Sequence, residues 1–108
     1  MKKNKEKIIT IIICFMILLL STQIKIIIGS GASMQPTYPN FKLLLCIKNK
    51  DYKVGDIVSY KLDKHKVVHR ITAIIDDGIL TQYQTKGDGN TGTDRYLITR
   101  TNIECKII

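Results

Sequence analysis

The chain has 108 residues and a formal net charge of +8, from 17 Lys and Arg against 9 Asp and Glu. That length leaves room for one domain, and 44% hydrophobic with 24% charged residues argues against a disordered chain. Residues 1–29 hold five Lys and one Glu, and residues 30–108 hold 12 basic and 8 acidic residues without a basic stripe interleaved with aromatics, so nucleic acid is not an expected partner.

The first element is the apolar run Ile8–Ile28, IITIIICFMILLLSTQIKIII. As a helix its length would be about 31 Å, close to the roughly 30 Å hydrocarbon core of a bilayer. Lys25 lies toward its far end, where it can snorkel. Four Lys between Met1 and Ile8 place the N-terminus on the cytoplasmic side by the positive-inside bias, and the rest outside. The expected organisation is a cytoplasmic basic tail over 1–7, a transmembrane helix over 8–28 and an extracytoplasmic domain over 29–108, in contact with membrane lipid. A cleaved secretory signal is the competing reading, with Ser30-Gly31-Ala32 as a small-residue cleavage site. The return of apolar residues at Ile24 and Ile26–Ile28 is long for such a signal and favours the anchor.

Residues 29–41 hold both prolines and many small residues, and read as a loop. Short β-branched runs broken by turns follow: Lys42–Lys48, Asp56–Leu62, Lys66–Ile75, Ile79–Lys86, Tyr96–Thr99 and Ile103–Ile107. Asp63-Lys64-His65 and Asp76-Asp77-Gly78 read as hairpin connections. The fold expected is mainly β, a small antiparallel domain on one N-terminal transmembrane helix. Tyr38, Phe41 and Leu43–Leu45 stand near the membrane exit and can face lipid, a partner or the core. Cys46 and Cys105 fall on the same side of the membrane, but spacing alone does not pair them. No Cys–His spacing suggests zinc, and no cofactor is expected.

Three places can carry chemistry. Ser33 follows small residues that let backbone N–H groups approach a reacting carbonyl, and Pro36 restrains the chain after it. His69 shares a strand face with Val67, Ile71 and Ala73, where apolar surroundings favour the neutral, proton-accepting imidazole. His65, in a Lys-rich turn, reads as a solvated surface residue. Asp88 and Asp94 lie on the Gly-rich stretch Thr85–Arg95, where an ordinary turn with Asp94 paired to Arg95 is the plainer reading. A calcium loop fits poorly, because a terminal Glu is missing. In chain order the three places offer a nucleophile, a base and an orienting carboxylate.

Taken together, these segments resemble type I signal peptidases, membrane-bound serine proteases that remove signal peptides from exported proteins. Ser33-Met34-Gln35-Pro36-Thr37 is similar to the family's Ser-Met-x-Pro-Thr box, and Gly55-Asp56-Ile57-Val58 to its Gly-Asp-[Ile/Val]-Val stretch. Val68-His69-Arg70-Ile71 falls where the general base precedes an Arg. Lys86-Gly87-Asp88-Gly89-Asn90 with Asp94-Arg95 is similar to the Lys-Gly-Asp-x-Asn…Asp-Arg box. A His at position 69, rather than Lys, resembles the endoplasmic-reticulum type, also found in archaea and some Gram-positive bacteria. The resemblance implies Ser33 as nucleophile, His69 as general base and Asp94 as the carboxylate that orients it. Asp88 is then a loop-shaping residue, with Gly31, Met34, Pro36, Arg70, Gly87 and Asn90 supporting. It further implies signal peptides of preproteins as substrates, cut after small residues. A catalytically inactive, membrane-tethered β module that binds extracytoplasmic peptides is the alternative, as is a peptidase dedicated to one exported protein. Many members carry a Ser two residues before the nucleophile as an oxyanion donor; here that position is Gly31, so the hole would rely on backbone N–H, chiefly that of Ser33, with Ser30 as a further candidate. The large inserted domain of many bacterial members is absent between Arg70 and Lys86. The residues do not set an oligomeric state.

Overall fold

A computed structural model describes residues 2–48 and 51–108. Helix α1 (Lys2–Gln23) is followed by strands β1 (Ile24–Ser30), β2 (Phe41–Ile47), β3 (Ile57–Leu62), β4 (His65–Asp76), β5 (Thr81–Lys86), β6 (Leu97–Thr99) and β7 (Ile103–Ile107). The strands form one antiparallel sheet in the order β1-β2-β7-β3-β4-β5-β6. The six strand runs read from the sequence are present, with ends that differ by up to two residues.

The N-terminal segment departs from expectation. The helix ends at Gln23, and Ile24–Ile28, expected inside a transmembrane helix over 8–28, belong to β1. β-branching alone does not decide this, since Ile8, Ile9, Thr10 and Ile11–Ile13 stay helical; what sets Ile24–Ile28 apart is a partner strand. The run pairs residue for residue with β2, from Ile24 opposite Ile47 to Ser30 opposite Phe41. The apolar part of α1 is therefore Ile8–Leu20, about 20 Å long at about 1.5 Å per residue. Among the described residues no helix is long and apolar enough to cross a membrane. The loop expected over 29–41 contracts to residues 31–40.

The β1–β2 hairpin has two unlike faces. One presents Ile26 and Ile28 with Phe41, Leu43 and Leu45, all exposed. The other carries Leu44 and Cys46 into a small core with Cys105 and Ile107, against which Ile27, Tyr38, Ile57 and Val68 pack. Cys46 and Cys105 form a disulfide with their Cα atoms 5.5 Å apart. The bond matters to the architecture because, among the described residues, β2 and β7 meet along a short stretch, Cys46–Ile107 and Ile47–Lys106, with Ile108 N–H donating to Leu45 O at 2.9 Å. It clips the hairpin to the rest of the sheet at that narrow seam.

The second core, Tyr52, Val58, Tyr60, Ile71, Tyr83, Ile98 and Ile103, lies under β3 to β7. Strand β4 is long enough to serve two partners. Its first half pairs with β3, its second half with β5, and the register shifts between Ile71 and Ala73. Residues 69 and 70 sit where the two pairings meet. The sheet curls, so that Ile27–Ser30 of the edge strand β1 face Val67–His69 of β4 across a cleft of about 400 Å³.

Candidate active site

The cleft takes Ile27, Ile28, Gly29, Ser30 and Ser33 from the hairpin side, and Ser59, Lys66–His69 and Tyr96 from the other. Ser33 and His69, distant in sequence, thus line one space. Ser33 is half-buried, and His69 is buried with 7% of its surface exposed.

The Ser33 loop is held by main-chain contacts to the Gly-rich turn after β5. Gly89 donates its N–H to the Ser33 carbonyl at 2.7 Å, and Asn90 N–H closes the turn on Gly87 O at 2.9 Å. Asp88 N–H lies 3.4 Å from Sδ of Met34, which is buried. Glycine is needed here for proximity. A Cβ built on Gly87 would stand 2.5 Å from Ser33 O, 2.7 Å from Asn90 Nδ2 and 3.0 Å from His69 Nε2, and one on Gly89 would meet Gln35 O at 2.8 Å. Gly87 is thus the spacer between the main chain at Ser33 and the edge of the imidazole. Gly31 has a different reason: its φ of +98° is strained for other residues. Its N–H is engaged by Asn40 Oδ1 at 2.8 Å. Pro36 lies exposed on the loop after a cis Gln35–Pro36 bond.

The two acids part company. Asp94 Oδ2 is 2.7 Å from His69 Nδ1. With Nδ1–H donated there, Nε2 retains its lone pair on the side of Gly87 and Ser33. Asp88 instead accepts from Arg70 Nε and Nη2 at 2.9 and 2.8 Å, and from Thr37 Oγ1 at 2.5 Å. Arg70 completes its fork by donating to Gly55 O at 2.8 Å. Asp88 therefore joins β4 to the Ser33 loop and stands away from the imidazole. Arg95, the partner an ordinary turn would give Asp94, is exposed. His65 is exposed too.

Both carboxyls are held below the usual range. For Asp88 the Arg70 guanidinium is the main cause, against an opposing effect of burial. For Asp94 burial pushes upward, but hydrogen bonds from Thr85, His69 and Tyr60 together outweigh it.

Sequence reasoning missed three members of the site. Thr85 donates to Asp94 Oδ2 at 2.6 Å and Tyr60 donates to the same oxygen at 3.0 Å. Tyr60 also stands 3.4 Å from His69 Nδ1 and 2.7 Å from the Tyr96 hydroxyl. No local signal marks them, because Tyr60 stands 25 residues before Thr85 and 36 before Tyr96 in the chain.

Among the described residues no hydrogen bond joins the Ser33 hydroxyl to His69. The arrangement is nonetheless chemically specific: a hydroxyl and an imidazole acceptor share a cleft, and a half-buried carboxylate fixes the ring. Such a set can transfer a proton to and from an acyl centre. No family model matches the chain, nor does any curated protein or solved structure.

Proposed function

We propose that this chain is a membrane-bound serine endopeptidase of the type I signal peptidase kind, cutting exported preproteins after small residues. The observation that carries the reading is the 2.7 Å His69–Asp94 pair, set in the cleft that also takes Ser33. Ser33 Oγ attacks the scissile carbonyl while His69 Nε2 takes its proton. The proton then passes to the departing amine, and water, activated by the same nitrogen, hydrolyses the acyl-enzyme. The edge strand β1 supports a binding mode, because its Ile27–Ser30 segment borders the cleft and, among the described residues, no strand pairs on its outer side. A substrate in extended form adds to that edge through its backbone, with shallow pockets admitting small side chains.

Membrane attachment is part of the proposal. The apolar length of α1 falls short of a bilayer core, and the exposed face of the β1–β2 hairpin continues it. Ile26 and Ile28 pair across from Leu45 and Leu43, forming one apolar patch. A patch of this kind on a small domain marks a contact surface, and its continuity with α1 favours lipid. With the apolar part of α1 and the exposed apolar face of the hairpin both against lipid, Ser33 at the hairpin's tip stays at membrane level. Signal peptides present their cleavage point at that level, so the encounter is confined to one plane.

The test is to incubate the full chain, purified in detergent, with a panel of preproteins and weigh the products. Cleavage after small residues that is lost in Ser33→Ala supports the reading. The lack of a Ser33–His69 hydrogen bond favours a second reading, an inactive module that binds extracytoplasmic peptides. A serine-reactive acylating probe separates the two: labelling at Ser33 rejects the inactive module.

A further inference from the structure

Three donors converge on one carboxylate oxygen: His69 Nδ1 at 2.7 Å, Thr85 Oγ1 at 2.6 Å and the Tyr60 hydroxyl at 3.0 Å from Asp94 Oδ2. Tyr60 and Thr85 are wholly buried. A phenol hydroxyl in a core costs stability unless it is fully hydrogen-bonded, and Phe would fill the same volume without that demand. The Tyr60 hydroxyl therefore serves a polar task. It donates to Asp94 and stands 2.7 Å from the hydroxyl of Tyr96, a residue that borders the cleft.

We infer that Tyr60 and Thr85 are positioning residues that tune the basicity of His69 through Asp94. Each hydroxyl draws negative charge from the carboxylate toward itself, so less remains to stabilise an imidazolium at Nδ1. Without them Asp94 holds the protonated ring more firmly, and the ring is a free base over a narrower range of pH. The groups facing His69 from the packed elements are Tyr60 on β3, Thr85 on β5, Asp94 and Tyr96 on the following segment, and Ser33 on the hairpin loop. Lys66, on β4 itself, also borders the cleft and pairs with Glu104 at 3.7 Å. Tyr60 and Thr85 donate to the oxygen that His69 also uses, and Tyr96 hydrogen-bonds the same carboxylate from the rim of the cleft.

The inference rests on the peptidase reading for its effect on turnover, but its test does not require turnover. Ring-proton resonances of the two histidines are followed against pH in full-length Ser33→Ala protein in detergent micelles, with His65→Gln to assign them. Tyr60→Phe and Thr85→Val are each expected to raise the His69 titration midpoint above that of the parent, by a few tenths of a unit to about one. Thr85→Ser, which keeps the hydroxyl, is expected to restore the parent midpoint. Asp94→Asn is expected to lower it. Midpoints unmoved by both Tyr60→Phe and Thr85→Val, with Asp94→Asn still effective, overturn the inference and leave the His69–Asp94 pair standing. A midpoint also unmoved by Asp94→Asn overturns the coupling itself, and the peptidase reading with it. Should Tyr60→Phe fail to fold, the Thr85→Val and Thr85→Ser pair decides alone.

Discussion

Arg70 grips Asp88 with two parallel hydrogen bonds of 2.9 and 2.8 Å, and Asp88 in turn receives the hydroxyl of Thr37. The residue after the imidazole is thereby tied to the loop that carries Ser33. One side chain of the dipeptide His69-Arg70 faces the cleft and the other anchors the opposing wall, as alternation along a strand requires. Asp88→Asn and Arg70→Lys are expected to loosen this bridge. Hydrogen bonds to charged groups are worth about 1.5–3 kcal/mol, and each variant should lose about that much in denaturant unfolding. Turnover should fall through misplacement of Ser33.

Acid should weaken the fold through the same carboxyls. Asp88 and Asp94 both sit below their ordinary value of 3.8 in the folded chain. A lowered folded value means that their contribution is fully present above the unfolded value and is lost as pH falls through the folded one. Unfolding free energy measured from pH 6 downward is therefore expected to hold until about pH 4 and then decline. Asp88→Asn cannot titrate and should show a lower plateau with a shallower decline. A parallel decline in the variant would mean that the Arg70 pair does not govern acid stability.

Ser33→Ala should lower turnover by at least about 10³-fold with the fold intact, and His69→Ala should do the same. Free imidazole titrates near 6.5 and a lysine amine near 10.4, so the pH profile of kcat/KM distinguishes the two kinds of base. Activity rising through neutrality fits His69 as base; an ascending limb centred near 9 would assign that role to a lysine.

Much of this molecule is written in local pattern. Each run of β-branched residues between turns became a strand, because alternation and turn residues act over short distances. Ser33, His69 and the two acids were also legible as a set. What escaped was what depends on partners far along the chain. Ile24–Ile28 reads as apolar helix until Phe41–Ile47 is brought beside it, and tertiary pairing then overrides the local signal. Arg70 satisfies Asp88 and leaves Asp94 to the imidazole, a division the resemblance implied but the residues alone did not decide. Tyr60 looked like any strand tyrosine, because nothing nearby in sequence shows that Asp94, 34 residues on, would meet its hydroxyl. The Cys46–Cys105 pair needed the β2–β7 seam to become visible.

That seam yields a prediction of its own. The disulfide closes a loop spanning 59 positions and secures a short junction of two ladder pairs and the Ile108–Leu45 backbone bond. Cys46→Ser with Cys105→Ser should cost about 2–4 kcal/mol of stability and depress Tm. Because the hairpin carries Ser33 and the far side of the seam carries His69, turnover should fall further than Tm alone accounts for. A variant with lowered Tm but unchanged turnover at low temperature would show that the loop contacts around Gly89 are enough to hold the two walls together.

Gly87→Ala probes the closeness of those walls directly. The added methyl group would fall 2.5 Å from the Ser33 carbonyl oxygen and 3.0 Å from His69 Nε2, well inside van der Waals contact. The first neighbour is main chain and cannot swing aside, so the Ser33 loop and the imidazole must separate. Overpacking of this kind costs about 1–3 kcal/mol, and a displacement near 1 Å at a reacting centre can cost about 10²-fold in rate. The variant is expected to keep its strand content by circular dichroism, unfold at lower denaturant, and lose about two orders of magnitude in turnover. Gly92→Ala serves as the control, since a Cβ there meets nothing within 4 Å; it should behave as the parent. If Gly87→Ala cleaves preproteins at the parental rate, the main chain at position 33 is not held against the imidazole as described, and a nucleophile elsewhere must be sought.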